Sequence, residues 1–149
     1  MKVYFVMGIT CSGKSKYIQS HFPNAIVIDL FTYQMGKSLV DKDSIMETYQ
    51  ECMNELVKTI KNNIDNDIDI ILEHTLLKAI RRKPYIDAVK SVCDIPIIAI
   101  LINPPMNKLI ERSKSRGFRG SSTFIQNNLD VLEIPTIDEG FEKVEIIQD

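Results

Sequence analysis

The chain has 149 residues, 44% of them hydrophobic and 26% charged, with a formal net charge of −2. That is enough for one hydrophobic core without disulfide or metal staples, and too neutral for the bulk charge to draw a polyanion, so any nucleic-acid contact must rest on a local basic patch. No apolar run approaches the roughly 20 residues of a membrane span, and the three cysteines (Cys11, Cys52, Cys93) are odd in number and lack metal-type spacing, which excludes a disulfide framework and a zinc site.

Val3–Met7 is an apolar, β-branched run that reads as a buried strand. The chain enters it without a signal-peptide pattern, so a cytoplasmic location with reduced thiols is expected. Gly8-Ile9-Thr10-Cys11-Ser12-Gly13-Lys14-Ser15 follows and fits G-x-x-x-x-G-K-[ST] without mismatch. Lys16–Ser20 can begin a helix, so the motif has the strand-loop-helix context it needs. Gly8 and Gly13 let the backbone turn so that its N–H groups, with those of Thr10, Cys11 and Ser12 and of the helix start, face an anion. Lys14 would reach the terminal phosphates of a nucleoside triphosphate, and the Ser15 hydroxyl would ligate Mg²⁺. Cys11 reads as a small residue tolerated in the loop.

His21–Asn24 breaks the pattern, Ala25–Ile28 reads as a second strand and Asp29 ends it. Residues 30–42 show no clean period and read as a loop or a short helical turn. From Asp43, with Asp43 or Ser44 as cap, Ile45, Tyr49, Cys52, Leu56 and Ile60 keep a helical period to Asn62-Asn63. Ile68–Leu72 is a third strand closing on Glu73 and His74. Residues 78–92 suit a helix with Pro84 in its first turn. Ile97–Ile102 is the most continuous apolar run and reads as a central strand, stopped by Asn103-Pro104-Pro105. Helices are expected over Met106–Ser115 and Thr123–Leu132, with Pro135 ending the second, and Val144–Ile147 is the last strand. The β/α alternation predicts a single α/β domain over residues 1–149, a five-stranded parallel sheet with helices on both faces. Ligands then bind at the C-terminal strand ends, where the glycine loop, Asp29, Glu73, His74 and Asn103 should converge.

Three groups carry candidate chemistry. Lys108, Arg112, Lys114, Arg116 and Arg119 stand against a single acid, Glu111, and end in a glycine-flanked stretch. Arg112 and Arg116 share a helix face. Residues 112–125 thus read as an arginine lid over the nucleotide, or else as a solvated basic face. Asp29 is placed to accept the proton of an attacking hydroxyl, or to cap a turn. Glu73 is placed to hold a Mg²⁺-bound water, to bind substrate, or to serve structure, and His74 to contact substrate. Lys78, Arg81, Arg82 and Lys83 form a second basic cluster, fit for an anionic substrate or for a plain surface patch.

Read together, Gly8–Ser15, Ile26–Asp29, Ile70–Thr75, Arg81–Pro84, the Leu109–Gly117 stretch with its E-R-x-x-x-R-G pattern, and Pro135–Phe141 with its P-T-x-x-E-G-F pattern occur in an order that resembles the P-loop kinase domain of the polynucleotide 5′-hydroxyl kinases and their small AAA_33-type relatives. The resemblance covers nearly the whole chain. It implies the P-loop NTPase fold with strand order 2-3-1-4-5, ATP as donor with Mg²⁺, and a hydroxyl acceptor such as a 5′-OH end of DNA or RNA, a nucleoside or another small alcohol. It also implies Asp29 as general base and Arg112 and Arg116 on the transferring phosphate. Two departures concern the acceptor pocket. Relatives commonly carry D-A-T-N where this chain has Glu73-His74-Thr75-Leu76, and a polar residue where it has Leu30. A GTPase switch is excluded by the lack of D-x-x-G and N-K-x-D; a non-catalytic nucleotide-binding module is the remaining rival.

Overall fold

Alternation along the first strand sets the architecture. In β1 (Val3–Met7) the side chains of Val3, Phe5 and Met7 enter one apolar cluster and Val6 enters another, because successive residues of a strand face opposite ways. A strand buried on both faces needs cover on both. The computed structural model, which describes residues 1–115 and 122–148, supplies it. The elements that follow are α1 (Lys14–His21), β2 (Ile26–Asp29), α2 (Leu30–Gln34), α3 (Lys42–Asn62), β3 (Ile70–Glu73), α4 (Ala79–Val92), β4 (Ile97–Ile102), α5 (Met106–Ser115), α6 (Ser122–Val131), a 3₁₀ turn at Ile137–Glu139, and β5 (Lys143–Ile147). The five strands form one sheet in the order β2-β3-β1-β4-β5, every pairing parallel. This is the expected order.

On one face, Cys52, Leu56 and Ile60 of α3 and Tyr85, Ile86 and Val89 of α4 cover the sheet, with Phe141 among them. On the other, Ile18 of α1 packs against Val6, Ile71, Ile98, Ile100 and Ile102. A third cluster joins Ile9 of the glycine loop to Leu109 of α5 and Ile125 of α6. Among the described residues no helix is long and apolar enough to cross a membrane.

Several details depart from expectation or sharpen it, each for a local reason. The cap of α3 is Asp41, whose Oδ2 accepts the Ser44 N–H at 3.0 Å, so the helix starts before Asp43. The buried face of α3 also includes Thr48, because its hydroxyl donates back to the Ser44 carbonyl at 2.9 Å and the residue buries like a small apolar one. Of the loop or short helical turn expected over residues 30–42, residues 30–34 form the helical turn, α2, capped by Asp29. Pro84 lies in the second turn of α4, not the first. The Ile80 carbonyl that it leaves without an N–H belongs to a residue 73% exposed, at the water-facing side of the helix.

Phe141, from the P-T-x-x-E-G-F stretch, meets the Phe5 ring edge-on at 5.7 Å and is 2% exposed. Phe141→Ala should lower the free energy of unfolding by about 3–5 kcal/mol, the usual loss for a buried phenylalanine. Urea denaturation checks this; a loss under about 1 kcal/mol would mean that the site refills or is not packed.

Candidate functional site

The glycine loop Gly8–Gly13 joins β1 to α1 and its shape depends on both glycines. At Gly8 (φ +150°) a Cβ would sit 2.5 Å from the Ile102 carbonyl oxygen and 2.8 Å from Ser12 Oγ. At Gly13 (φ +102°), the N-cap of α1, a Cβ would sit 3.1 Å from Arg112 Nη1. Cys11 also has a positive φ, 68°. Within the loop the Ser12 N–H donates to the Ile9 carbonyl at 3.1 Å, and Lys14 Nζ donates to the carbonyls of Gly8 (2.9 Å) and Ile9 (3.1 Å). The glycine loop runs straight into the N-terminus of α1, the end of a helix that favours an anion. Ser12 Oγ is buried and makes no hydrogen bond among the described residues. A cradle of N–H donors, an ammonium and an orphaned hydroxyl is the chemistry a phosphate chain fits.

Parallel pairing then sets the carboxylates. Asp29 at the end of β2 is the register partner of Glu73 at the end of β3, and Glu73 in turn pairs with Val6 of β1. Ser15 Oγ donates to Glu73 Oε2 at 2.7 Å. Glu73 is buried. Burial pushes its carboxyl up; the Ser15 hydrogen bond pulls it back, Asp29 pushes it up again, and Lys14 pulls it down. A serine hydroxyl and one carboxylate are the hard oxygen donors Mg²⁺ takes, with phosphate and water filling its other positions. Among the described residues no group of three or more His, Cys, Asp or Glu could hold a metal ion.

Asp29 has two parts to play. Its Oδ1 accepts the Phe31 N–H at 3.0 Å, capping α2, and the residue lines a cleft of ≈ 320 Å³ together with Thr10, Cys11, Gly13, Lys14, Ser15, Glu73, His74 and Thr75. Leu30, Phe31 and Gln34 of α2 line the same cleft. Sequence reasoning missed Phe31 and Gln34, and met Leu30 only as a departure from the relatives' pattern. The signal was present in Asp29 as a cap for the residues after it.

The remaining candidates are scattered. Arg112 of α5 donates from Nη1 to the Ser12 carbonyl at 2.6 Å. It holds the loop from a separate recess that it lines with Ser12, Gly13, Lys16 and Tyr17. Arg116 and the central part of the expected lid lie outside the described residues. Arg81 is exposed, with Nη1 on Met46 Sδ at 3.2 Å. Arg82 departs from expectation: it is 1% exposed, with Nε and Nη2 donating to Glu139 and Nη1 to the Leu76 carbonyl, so it does not belong to a surface patch. Asn103 bonds through its N–H to the Ile147 carbonyl at 2.7 Å and does not line the cleft.

His74 is 2% exposed, with the rings of Tyr49 and Tyr85 edge-on at 4.8 and 5.2 Å. Its Nδ1 accepts the Leu76 N–H at 3.3 Å, which assigns the ring proton to Nε2. Nε2 has no hydrogen-bond partner among the described residues. Burial drives the imidazole down to about 3, and the Lys14 ammonium adds to the effect. The ring is therefore neutral at physiological pH.

Comparison with known proteins agrees with this geometry. The family described as an AAA domain, AAA_33, matches the chain over residues 3–133. No curated protein matches it by sequence. Solved structures do match in fold. A structure described as a putative kinase from Chloroflexus aurantiacus is 13% identical with a TM-score of 0.69, covering 99% of this chain and 87% of its own. A gluconokinase from Sinorhizobium meliloti is 18% identical with a TM-score of 0.65, covering 99% and 82%. A chain of the Pnkp1/Rnl/Hen1 RNA repair complex is 14% identical with a TM-score of 0.66; the match covers 88% of this chain and 43% of that one. The five-stranded parallel sheet in the order 2-3-1-4-5 is that of P-loop NTPase kinases.

The buried neutral histidine makes a pH prediction. Its pKa is lower folded than unfolded, so the unfolded chain takes up a proton that the folded one refuses. Its contribution is complete above the unfolded value of 6.5 and is lost as pH falls through 6.5 toward 3. Between pH 7 and pH 5 the wild type should lose about 2 kcal/mol of stability that His74→Asn does not lose. Urea titrations of both proteins at the two pH values test this; identical pH slopes would contradict a neutral buried His74.

Proposed function

The chain belongs to the AAA_33 family, and from that membership and the cleft we propose that it is an ATP-dependent kinase that phosphorylates a hydroxyl, the acceptor being a 5′-OH end of DNA or RNA. One observation carries the reading. Two carboxylates at the ends of adjacent strands flank the glycine loop inside one cleft, one bonded to the loop serine and the other set back toward α2. Binding a nucleotide needs the first carboxylate only. Moving a phosphoryl group to an alcohol also needs an acceptor for the hydroxyl proton, and Asp29 supplies one.

In this reading the loop N–H groups and Lys14 hold the phosphates of ATP. Ser15 and Glu73 would hold Mg²⁺, which neutralises charge on the phosphates as it redistributes. The acceptor oxygen bonds to the γ-phosphorus, the bond from that phosphorus to the β–γ bridging oxygen breaks, and ADP leaves. The hydroxyl proton passes to the Asp29 carboxylate. Arg112 braces the loop from behind, and Arg116 completes the set as a lid cation.

The acceptor follows from charge. The residues lining the acceptor half of the cleft are Asp29, Leu30, Phe31, Gln34, His74 and Thr75, none of them a cation at physiological pH. Such a lining disfavours a sugar acid, whose carboxylate would need a partner. A 5′-OH end is neutral at the reacting atom and carries its phosphates one nucleotide away. Lys78, Arg81 and Lys83 are exposed at the start of α4, just beyond the turn that lines the cleft, and are suited to meet those phosphates. The fold is shared alike with a chain of the Pnkp1/Rnl/Hen1 RNA repair complex and with a gluconokinase, so it supports a kinase without choosing the acceptor.

The test uses ATP labelled at the γ-phosphate with 5′-OH DNA, 5′-OH RNA, a nucleoside, gluconate and no acceptor. Label should move to the oligonucleotide 5′ end. Lys14→Ala should abolish transfer while leaving the protein folded. KM for the oligonucleotide should rise steeply with salt, and Lys78→Glu with Arg81→Glu should raise it further while KM for ATP holds. Label on the nucleoside or gluconate alone would overturn the acceptor assignment. Label on none of them would overturn the kinase reading.

A further inference from the structure

Arg82 is buried, yet its guanidinium does more than fill a core position. Nε and Nη2 donate to Glu139 Oε1 and Oε2 at 2.6 and 3.2 Å, and Nη1 donates to the Leu76 carbonyl at 2.8 Å. Leu76 is a non-glycine residue in the left-handed region, φ +41°. The Glu139 carboxylate also accepts the Thr136 N–H at 2.8 Å, closing the capping box of the 3₁₀ turn. A second glutamate grips the same place: the Glu133 N–H donates to the Leu77 carbonyl at 2.7 Å, and Glu133 Oε1 accepts the Ala79 N–H at 2.8 Å. The segment 133–139, far along the chain, thus holds residues 76–79 at three points, counting the arm of Arg82.

The residues just before this turn are Glu73, His74 and Thr75, all lining the cleft. The Thr75 carbonyl accepts the Gly8 N–H at 3.3 Å, tying the turn to the glycine loop. Without a donor on its carbonyl, Leu76 would relax toward negative φ, and the peptide linking it to Thr75 would rotate away from Gly8. A lysine at 82 would keep the charge, but a single ammonium cannot divide itself between a carboxylate and a carbonyl as the planar fork does. An ordinary buried ion pair needs no such split geometry.

We propose that Arg82, clamped by Glu139, is a positioning residue: it keeps Leu76 left-handed and so holds Thr75 and His74 in place against the phosphate loop. Its consequence for catalysis rests on the kinase reading above; its consequence for local structure does not.

The experiment compares wild type with Arg82→Lys by amide hydrogen exchange and by phosphotransfer to a 5′-OH oligonucleotide. The amides of Gly8 and Leu76 should exchange about tenfold faster or more, while the ladder amides of Phe5 and Ile100 keep their protection. The kcat for transfer should fall by about tenfold, with KM for ATP within about twofold. Faster exchange everywhere to the same degree would make Arg82 a general stabiliser and overturn the proposal, as would unchanged exchange at Gly8 and Leu76. Should Arg82→Lys fail to fold, Glu139→Gln must reproduce the same local pattern more weakly, and its failure to do so would equally overturn the proposal. Wild-type protein that transfers no phosphate would count against the kinase function, and the exchange pattern would then decide the clamp by itself.

Discussion

The hydrogen bond from Ser15 Oγ to Glu73 Oε2, 2.7 Å long, ties the start of α1 to the end of β3. Most of the site depends on that tie. β3 lies between β2 and β1, so fixing its end relative to the glycine loop also fixes Asp29, the register partner of Glu73. The bond keeps a carboxylate beside the loop in a place where burial disfavours its charge, with the Ser15 hydroxyl and the Lys14 ammonium acting against that penalty. Removing the hydroxyl would leave a buried carboxylate short of a donor, the expensive case for a polar group.

A second constraint works from the far end of the chain. Leu76 in the left-handed region stores strain on the order of 1–3 kcal/mol, which persists only where surrounding bonds over-determine the backbone. Arg82, Glu133 and Glu139 provide those bonds. The late P-T-x-x-E-G-F stretch therefore has three distinct physical tasks. Thr136 and Glu139 close a cap, Glu139 receives Arg82, and Phe141 packs edge-on against Phe5 of the central strand. Core and cleft are joined through it.

Much of this was legible in the chain itself. The alternation of apolar runs with helical periods sufficed for the elements, and a glycine loop after β1 located the cleft at the C-terminal strand ends. The sheet order came from the resemblance. The bonding of Glu73 and Arg82 was not legible, because each has its partner 57 or more positions away: Ser15 for the first, Glu139 for the second. A run such as Lys78, Arg81, Arg82, Lys83 reads as one basic patch, yet helical geometry turns Arg82 inward while Arg81 stays exposed. The cap of α3 was misread for a simpler reason. Asp41, Asp43 and Ser44 are all good caps, and only the backbone decides among them. Phe31 and Gln34 entered the cleft because Asp29 starts a helix at once, where the sequence pattern has no period to reveal it.

The central claim is that the two neighbouring carboxylates have different work: Glu73 serves the metal-bound donor and Asp29 takes the acceptor proton. The most direct measurement pairs single-turnover transfer with an ATP-binding titration, with and without Mg²⁺, for Asp29→Asn and Glu73→Gln. Asp29→Asn should cut transfer by at least about 100-fold, the lower range of general-base assistance, and leave binding of ATP with Mg²⁺ unchanged. Glu73→Gln should erase the gain in ATP affinity that Mg²⁺ provides. Transfer at close to the wild-type rate by Asp29→Asn, or loss of the Mg²⁺-dependent affinity in Asp29→Asn instead of Glu73→Gln, would contradict this division of roles.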